Sequence, residues 1–336
     1  MKAFEIGQFG LDNLKMVEKE YPRPKSKEVL VKIHAASLNY RDYLVVNGKY
    51  NPYFPLPLVP LSDGAGEVVE IGEDVKTFFV GDRVTGTFAP DWISGQATKD
   101  QLRNTTGGPN NGTLTEFRVY PEYGLLPIPE HLSYEEAAAF PCAALTSWSA
   151  MVVEGKVNPG DTVVVLGTGG VSIFALQFAK ILGANVIVTS GSDDKLEKAK
   201  ELGADHTINY KTVTDWHKEV KRITRVGADH IIEVGGAGTL EQSVKSIRPF
   251  GQISLIGILA GGSKDFNLLP VLMHNIKIQG IVVGSKAGFE SMNKAVAFHK
   301  LKPVIDKVFP FEEAKEAIRY LANGNHFGKI CIKVSS

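Results

Sequence analysis

Apolar and polar residues are arranged in two different patterns along the chain. Up to about residue 126, short apolar stretches alternate with polar positions and end at glycines or prolines, which is typical of β-strands. From about residue 127, short apolar stretches alternate with longer stretches of helical spacing. Such alternation is typical of a parallel sheet with helices on both faces. The pattern therefore predicts an α/β protein whose first part is β-rich.

Individual elements follow from these patterns. In the first part we expect strands at 29–34, 64–72, 79–84 and 115–120. A capping box at Ser133–Glu136 predicts a helix start, and a second helix is expected at 145–154. The later strands are expected at 162–167, 185–190, 206–209, 229–234, 251–258, 277–283 and 329–334. The later helices are expected at 172–182, 193–202, 214–223, 240–247, 289–300 and 312–323.

Domain boundaries are placed where the pattern changes. Residues 1–126 form the first part of a β-rich domain, residues 127–285 form a nucleotide-binding domain, and residues 286–336 return to the first domain. A length of 336 residues is sufficient for about two domains. The sequence contains neither an internal repeat nor a low-complexity segment.

The stretch 162–172 carries the strongest local signal. A β-branched run ends in a glycine cluster, and a helix-like run begins at once, which predicts a strand, a tight turn and a helix start. The free N–H groups and positive dipole end of such a helix suit an anion, usually the diphosphate of a dinucleotide. The expected contacts are Gly167, Thr168, Gly169, Gly170, Val171 and Ser172. Ser172 replaces the third glycine of the usual pattern, so a tight turn without a ligand is the alternative.

The end of the next predicted strand indicates which dinucleotide binds. An NAD site usually has an acidic residue about 20 residues past the glycines, but this strand ends in Thr-Ser-Gly-Ser. Asp193 and Asp194 follow, where they suit the start of a helix. Ser190, Ser192 and Lys195 would instead bind a 2′-phosphate, which favours NADP(H). The alternative is that Lys195 is an ordinary solvated helix residue.

Composition and charge exclude several classes. Lysines and arginines number 37, as do acidic residues, so the net charge is zero and no basic patch indicates a nucleic acid. No apolar run approaches the roughly 20 residues of a membrane span, and the N-terminus lacks the apolar core of a signal peptide. The two cysteines, Cys142 and Cys331, make a disulfide framework implausible. We therefore expect a cytoplasmic protein that associates with neither membrane nor nucleic acid.

Several motifs together resemble one family. They lie at residues 36–42, 48–50, 62–72, 81–84, 167–172, 202–205, 208–210 and 327–330. The chain is similar over essentially its whole length to the medium-chain dehydrogenase/reductase superfamily, in its zinc-free, quinone-oxidoreductase-like branch. The resemblance implies a GroES-like β-barrel domain built from both chain ends and a Rossmann doubly wound parallel sheet between them. It also implies a homodimer in which residues 277–283 pair across the two-fold axis.

The resemblance also implies roles for particular residues. Asn39 and Thr146 resemble contacts to the ribose and nicotinamide of the cofactor, and Tyr50 resembles the proton donor of related enoyl reductases. The alternatives are a turn asparagine, a helix threonine bonded to its own backbone and an exposed loop tyrosine. The remaining cofactor contacts implied by the family fall on Tyr210, Gly257, Ile258, Leu259, Gly328 and Lys329.

Zinc ligands are missing at the positions where zinc-dependent relatives have them. Those relatives have a cysteine at or beside Ser37 and a His-Glu pair at Ser62-Asp63, and catalytic zinc needs about three protein ligands. The long polar loop at 90–113 lies where a structural zinc lobe would be, and it contains no cysteine. We therefore expect an enzyme that works without a metal.

The reaction expected from these features is NADPH-dependent transfer of hydride to a quinone or an α,β-unsaturated carbonyl. Without a metal ion, hydrogen-bond donors must stabilise the charge that develops on the acceptor. Two other interpretations remain. One is an NADP-dependent alcohol dehydrogenase, although no His-carboxylate pair suggests a base. The other is a non-catalytic nucleotide-binding scaffold.

Overall fold

The computed structural model describes residues 1–257, 259 and 266–335. Among them, the strands are β1 (Lys2–Ile6), β2 (Leu14–Glu18), β3 (Glu28–Ser37), β4 (Asp63–Ile71), β5 (Arg83–Gly86), β6 (Phe117–Pro121), β7 (Leu125–Pro127), β8 (Thr162–Leu166), β9 (Asn185–Ser190), β10 (His206–Asn209), β11 (Ala228–Glu233), β12 (Ile247–Leu255), β13 (Lys277–Gly280), β14 (Ile305–Pro310) and β15 (Lys329–Lys333). The α-helices are α1 (Tyr40–Val46), α2 (Lys99–Arg103), α3 (Tyr134–Ala138), α4 (Leu145–Trp148), α5 (Gly170–Ile181), α6 (Asp193–Glu201), α7 (Trp216–Thr224), α8 (Leu240–Ser246), α9 (Leu269–Met273), α10 (Lys286–His299) and α11 (Ala314–Ala322).

The chain divides into two compact units. Unit 1 comprises residues 1–145 and 284–336, and unit 2 comprises residues 146–283. The sequence-based boundary at 126/127 lies earlier than this division. The reason is that α3 packs against β3 and β4, with the ring of Tyr134 stacked on His34 at a centroid distance of 4.3 Å. The segment 127–145 therefore belongs by its contacts to unit 1.

Unit 2 is built on a sheet of six parallel strands in the described residues, in the order β10-β9-β8-β11-β12-β13. This order consists of two half-sheets that diverge between β8 and β11, and ligands of such folds bind at the carboxyl ends of the strands near this switch point. The centre of β8 is buried on both faces because Val163, Val164 and Val165 are covered by packed helices. The expectation of a doubly wound sheet is confirmed.

Unit 1 is organised around the ten-residue strand β3. This strand pairs antiparallel with β4, β6 and β15, and β14 and β15 run parallel at one edge. Because β15 pairs with β3, the end of the chain returns to the unit that holds its beginning, as expected from the sequence. The core of this unit includes Val31, Ile33, Val68, Leu114 and Ile332.

Three helical details differ from the sequence-based elements. Helical structure begins at Phe140 rather than at 145, because two π-helical segments, Phe140–Ala144 and Ser149–Val153, flank α4. A helix, α1, occupies Tyr40–Val46, where the sequence analysis expected none. The final predicted strand of unit 2 ends at Gly280 instead of 283. No helix in the described residues combines the length and apolarity needed to cross a bilayer.

Candidate functional site

The glycine turn at residues 167–172 has the predicted strand–turn–helix geometry. Gly167 follows β8 with φ of +74°, a conformation that favours glycine. Gly169 precedes α5 in an extended conformation, and no side chain caps the helix there. The first N–H groups of α5 are therefore open to an external anion, at the end where the helix dipole is positive. A diphosphate fits this turn.

Ser172 lies at the position where the usual pattern has a third glycine. Its buried hydroxyl donates to the carbonyl oxygen of Leu166 at 2.7 Å, so the side chain turns back onto the end of β8. The Ser147 hydroxyl binds the same turn by donating to the carbonyl oxygen of Val171 at 2.7 Å. The serine is thus accommodated without separating the helix from the sheet, and Thr168 is buried beside it.

The ends of β9 and β10 bring together residues that the sequence places 20 positions apart. The backbone N–H of Tyr210 donates to the carbonyl oxygen of Ser190 at 3.1 Å, and the N–H of Ser192 donates to the Ser190 hydroxyl at 3.3 Å. A Cβ atom at Gly191 would lie 2.8 Å from the Tyr210 hydroxyl and 2.9 Å from Cε of Lys211. The site therefore requires glycine at 191 and places Tyr210 and Lys211 over it.

The acidic residues after β9 point to structural duties. The side-chain amide of Asn209, at the end of β10, donates to Oδ1 of Asp193 at 2.7 Å. Asp193 and Asp194 both occupy the first turn of α6, where negative charge interacts favourably with the helix dipole. Lys195 lies on the same helix and is half-buried.

Glu233, at the end of β11, is a buried carboxylate that the sequence analysis missed. Its Oε1 accepts hydrogen bonds from the backbone of Gly235 at 2.8 Å and Gly236 at 3.0 Å and from the hydroxyl of Thr239 at 2.6 Å. Its Oε2 accepts from the hydroxyl of Ser243 at 2.5 Å. Glu233 therefore fixes the loop that follows β11 at the carboxyl edge of the sheet.

The loop after β12 also reaches this edge. The N–H of Gly257 donates to the carbonyl oxygen of Glu233 at 3.3 Å, and a Cβ there would lie 2.5 Å from the carbonyl oxygen of Val234. Leu259 is exposed, and Ile258 lies outside the described residues. Thr146, also in unit 2, is buried in α4.

In unit 1, Asn39 and Lys329 belong to one buried polar cluster, defined here as Asn39, Asp42, Ser62, Asp63 and Lys329. The Lys329 ammonium donates to Oδ1 of Asn39 and to the carbonyl oxygen of Leu38, each at 2.6 Å. Nδ2 of Asn39 donates to the Ser62 hydroxyl at 3.3 Å, which donates to Oδ1 of Asp63 at 2.6 Å. Lys329 is only 3% exposed, which is rare for lysine.

Burial changes the acidity of the carboxyl groups in this cluster. Burial raises the pKa of Asp42 to about 7, although the nearby Arg41 charge opposes this effect. Burial also raises the pKa of Asp63, and the Lys329 charge is the largest opposing influence. Asp42 accepts from the backbone N–H of Asn39 at 2.8 Å, while its other oxygen has no partner among the described residues.

The geometry of the cluster does not fit zinc. The thiol of Cys142 lies near it, and burial raises the pKa of this thiol, which favours the neutral form over the thiolate that binds metal. Both oxygens of Asp63 already accept hydrogen bonds, from Ser62 and from the Cys142 backbone N–H at 3.1 Å. Across the part of the chain that the structure describes, no three His, Cys, Asp or Glu side chains are grouped to hold a metal ion.

Tyr50 lies elsewhere in unit 1, on the guanidinium of Arg41. The Arg41 guanidinium carbon is 5.0 Å from the Tyr50 ring centroid and 4.8 Å from that of Phe88. The same guanidinium donates to the carbonyl oxygen of Thr106 and the hydroxyl of Thr105, both at 2.9 Å, and so anchors the 90–113 loop. Tyr50 is 49% exposed, consistent with access to a small molecule.

Gly328 shapes the backbone before Lys329. Its φ is +83°, and a Cβ there would lie 2.4 Å from the carbonyl oxygen of Val304. Glycine therefore allows β14 and the start of β15 to approach closely. This arrangement directs the Lys329 side chain towards Leu38 and Asn39 inside the unit.

The fold and these two sites define a nucleotide-binding oxidoreductase of the alcohol dehydrogenase type. The family model for the alcohol dehydrogenase GroES-like domain matches residues 25–130, and that for zinc-binding dehydrogenases matches residues 170–300. A zinc-type alcohol dehydrogenase-like protein of Schizosaccharomyces pombe is 45% identical, over 97% of this chain and 96% of its own length. The chain therefore belongs to the medium-chain dehydrogenase/reductase superfamily.

Two further relatives illustrate the range of activities in this superfamily. The solved structure of an NAD-dependent alcohol dehydrogenase is 37% identical and superimposes with a TM-score of 0.92 over all of both chains. An acryloyl-coenzyme A reductase of Sulfurisphaera tokodaii is 30% identical over 95% of this chain and 96% of its own length. Unit 1 is accordingly a GroES-like domain and unit 2 a Rossmann domain, as the sequence analysis expected.

Proposed function

We propose that this protein is an NADPH-dependent oxidoreductase that transfers hydride to a quinone or an α,β-unsaturated carbonyl without a metal ion. The observation that carries the proposal is the strand-end site of Ser190, Ser192 and Tyr210 around Gly191. Its hydroxyl groups and neighbouring lysines suit a 2′-phosphate, whereas the expected acidic partner of an NAD ribose is replaced by serine. The acryloyl-coenzyme A reductase relative supports an unsaturated acceptor.

Independence from metal is supported by the chemistry of the buried polar cluster. The cluster offers hydroxyl groups, engaged carboxylates and the ammonium of Lys329, rather than three ligands for zinc. A cation supplied by the protein itself already occupies the centre of this cluster. Charge that develops on the acceptor oxygen would therefore be stabilised by hydrogen-bond donors of the protein.

The site residues have distinct roles in this proposal. Bound NADPH supplies the hydride. Gly167, Gly169, Gly170, Val171 and the remainder of the glycine turn hold the diphosphate, while Asn39, Thr146, Gly257, Ile258, Leu259 and the 328–329 segment orient the nicotinamide half. The hydroxyl of Tyr50 donates a proton to an enolate, and a quinol oxygen takes its proton from water.

A reaction screen tests this proposal. The purified full-length protein is mixed with NADPH or NADH, and coenzyme oxidation is followed with a panel of quinones, a panel of enones and a panel of aldehydes, with metal analysis of the same sample. Turnover of quinones or enones with NADPH, unaffected by chelators, is expected. Alcohol or aldehyde turnover that requires bound zinc would contradict the proposal, and tight NADPH binding without turnover on any acceptor would indicate a scaffold.

Lys195 provides a sharper test of coenzyme choice. Lys195→Ala should raise the Michaelis constant for NADPH about tenfold or more, because a charge-assisted hydrogen bond contributes about 1.5–3 kcal/mol. The constant for NADH should change less than twofold. Lys200→Ala is the matched control, since this exposed lysine on the same helix pairs with Glu197. Equal effects of Lys195→Ala on the two coenzymes would contradict the assignment.

A homodimer is part of the same proposal. β13 is an edge strand of the described sheet of unit 2, and Val282, just beyond it, is 54% exposed. An unpaired, apolar strand edge favours pairing with a second copy. Light scattering should therefore give about twice the chain mass, and the mass of a single chain would contradict this part of the proposal.

A further inference from the structure

The hydrogen bonds of the buried polar cluster in unit 1 all run in one direction. The chain of donors begins at the ammonium of Lys329, passes through the Asn39 amide and the Ser62 hydroxyl, and ends at Oδ1 of Asp63. An ammonium group can only donate hydrogen bonds, and both oxygens of Asp63 accept them. The two ends therefore determine the direction of every bond between them.

This direction determines the orientation of the Asn39 amide. Oδ1 must turn towards Lys329, since only an oxygen can accept from the ammonium, and Nδ2 must turn towards Ser62. A flipped amide would place Nδ2 against the ammonium and Oδ1 against a hydroxyl that already donates to Asp63. Two donors would then face each other in a buried site, which is costly.

Asn39 is the member of this chain that reaches the surface of its unit. Lys329, Ser62 and Asp63 are buried, whereas Asn39 is partly exposed. The Nδ2 group has two hydrogens, and Ser62 takes one of them. The other hydrogen remains as a donor, so a group that binds to Asn39 must present an acceptor oxygen.

We infer that Lys329 is a positioning residue that holds the Asn39 amide as a hydrogen-bond donor towards the coenzyme. Lys329 then acts through Asn39, because its ammonium is directed to Asn39 and to the carbonyl oxygen of Leu38 within unit 1. This inference rests on the proposed function for the identity of the coenzyme. It differs from a direct contact between Lys329 and the coenzyme phosphates.

A double-mutant cycle separates these two roles. The affinity of the full-length protein for NADPH is measured by quenching of tryptophan fluorescence, without turnover. Lys329→Met should weaken NADPH binding about tenfold in the wild-type background, but less than twofold in the Asn39→Ala background. Binding of adenosine 2′,5′-bisphosphate, which lacks the nicotinamide half, should change less than twofold in every variant. Multiplying losses in the double mutant, or wild-type affinity of Lys329→Met, would overturn the inference.

Further variants protect this test against misfolding. Lys333→Met replaces an exposed lysine on the same strand and is the matched control. Lys329→Arg retains the charge and the donor, so it should restore most of the NADPH affinity. Ser62→Ala is a small change that breaks the chain on the other side of Asn39, and it should weaken NADPH binding about threefold to tenfold. Unchanged affinity in a folded Ser62→Ala protein would overturn the inference.

A measurement on the protein without coenzyme distinguishes failure of this inference from failure of the proposed function. In protein labelled with ¹⁵N at asparagine, the Nδ2 resonance of Asn39 is identified by its loss in Asn39→Ala. Lys329→Met should shift this resonance strongly, whereas Lys333→Met should leave it in place. A wild-type protein that ignores NADPH would contradict the proposed function alone, and an Asn39 resonance that is insensitive to Lys329→Met would overturn the positioning role.

Discussion

The glycine turn of unit 2 and the buried polar cluster of unit 1 present donors in different ways. In the glycine turn, the donors are backbone N–H groups at the start of α5, placed by the conformation of a short continuous segment. In the cluster, the donor is one side-chain amide whose orientation depends on residues up to 290 positions away. A site made by backbone tolerates changes of side chain, whereas a site made by a buried side-chain network depends on each member.

The largest expected effect tests whether unit 2 is free of such networks. Glu233→Ala removes the acceptor of four donors in the loop after β11, two of them backbone N–H groups. We expect the free energy of unfolding to fall by about 4 kcal/mol, because buried unsatisfied donors cost about 1–3 kcal/mol each and the loop relaxes in part. Chemical denaturation measures this change.

Glu241→Ala is the control for that measurement, since Glu241 is exposed on α8 and pairs only with Lys245 in the described structure. Its effect should stay within about 0.5 kcal/mol. If Glu233→Ala were equally mild, the loop after β11 would not depend on this carboxylate, and the contrast between the two units would be sharper than we describe.

A second effect concerns pH and the cluster of unit 1. The pKa of Asp42 is raised from 3.8 to about 7 in the folded protein, so folding favours its protonated form. The corresponding stability is complete below pH 3.8 and is lost as pH rises towards 7, at roughly 1.4 kcal/mol per pH unit. Between pH 5 and pH 8 this loss amounts to roughly 3 kcal/mol.

Asp42→Asn removes the titrating group, so the decrease attributable to Asp42 should disappear from urea denaturation curves recorded across this pH range. Asp12→Asn, at an exposed position, is the control and should leave the pH dependence unchanged. An identical pH dependence in wild type and Asp42→Asn would show that Asp42 keeps its ordinary acidity, and the cluster would then be less tightly coupled than the structure indicates.

The smallest effect tests the tolerance of the glycine turn. Ser172→Ala removes the hydrogen bond to the Leu166 carbonyl oxygen but leaves the backbone donors in place. Stability should fall by about 1 kcal/mol, and NADPH affinity, followed by fluorescence quenching, should change less than threefold. A loss of affinity greater than tenfold would mean that the hydroxyl itself takes part in binding, which would make the turn resemble the cluster.

The sheet of unit 2 was accessible to sequence analysis because its strands are apolar throughout and its turns contain glycine. Strands β8, β9 and β10 lie within one residue of their expected bounds. Elements without such periodicity were missed. β1 and β2 form a short separate hairpin, and α1 has a sequence, Tyr-Arg-Asp-Tyr-Leu-Val-Val, whose β-branched residues do not indicate a helix.

The candidate sites show the same limit. The strand-end residues of unit 2 follow a spacing that the sequence displays, and the structure brings Ser190 and Tyr210 together. Glu233 and the bonding order from Lys329 to Asp63 could not be predicted, because they depend on tertiary contacts rather than on local spacing. A buried lysine and a buried glutamate have the same sequence appearance as exposed ones.

The loop at 90–113 is fastened at two separate places. Near its beginning, the carbonyl oxygens of Trp92 and Ile93 accept from the backbone of Lys286 and Ala287, both at 2.9 Å. Near its end, Arg41 binds Thr105 and Thr106. The exposed stretch between these anchors can therefore change in length at little entropic cost, and here the family can exchange one lobe for another without disturbing the barrel beneath.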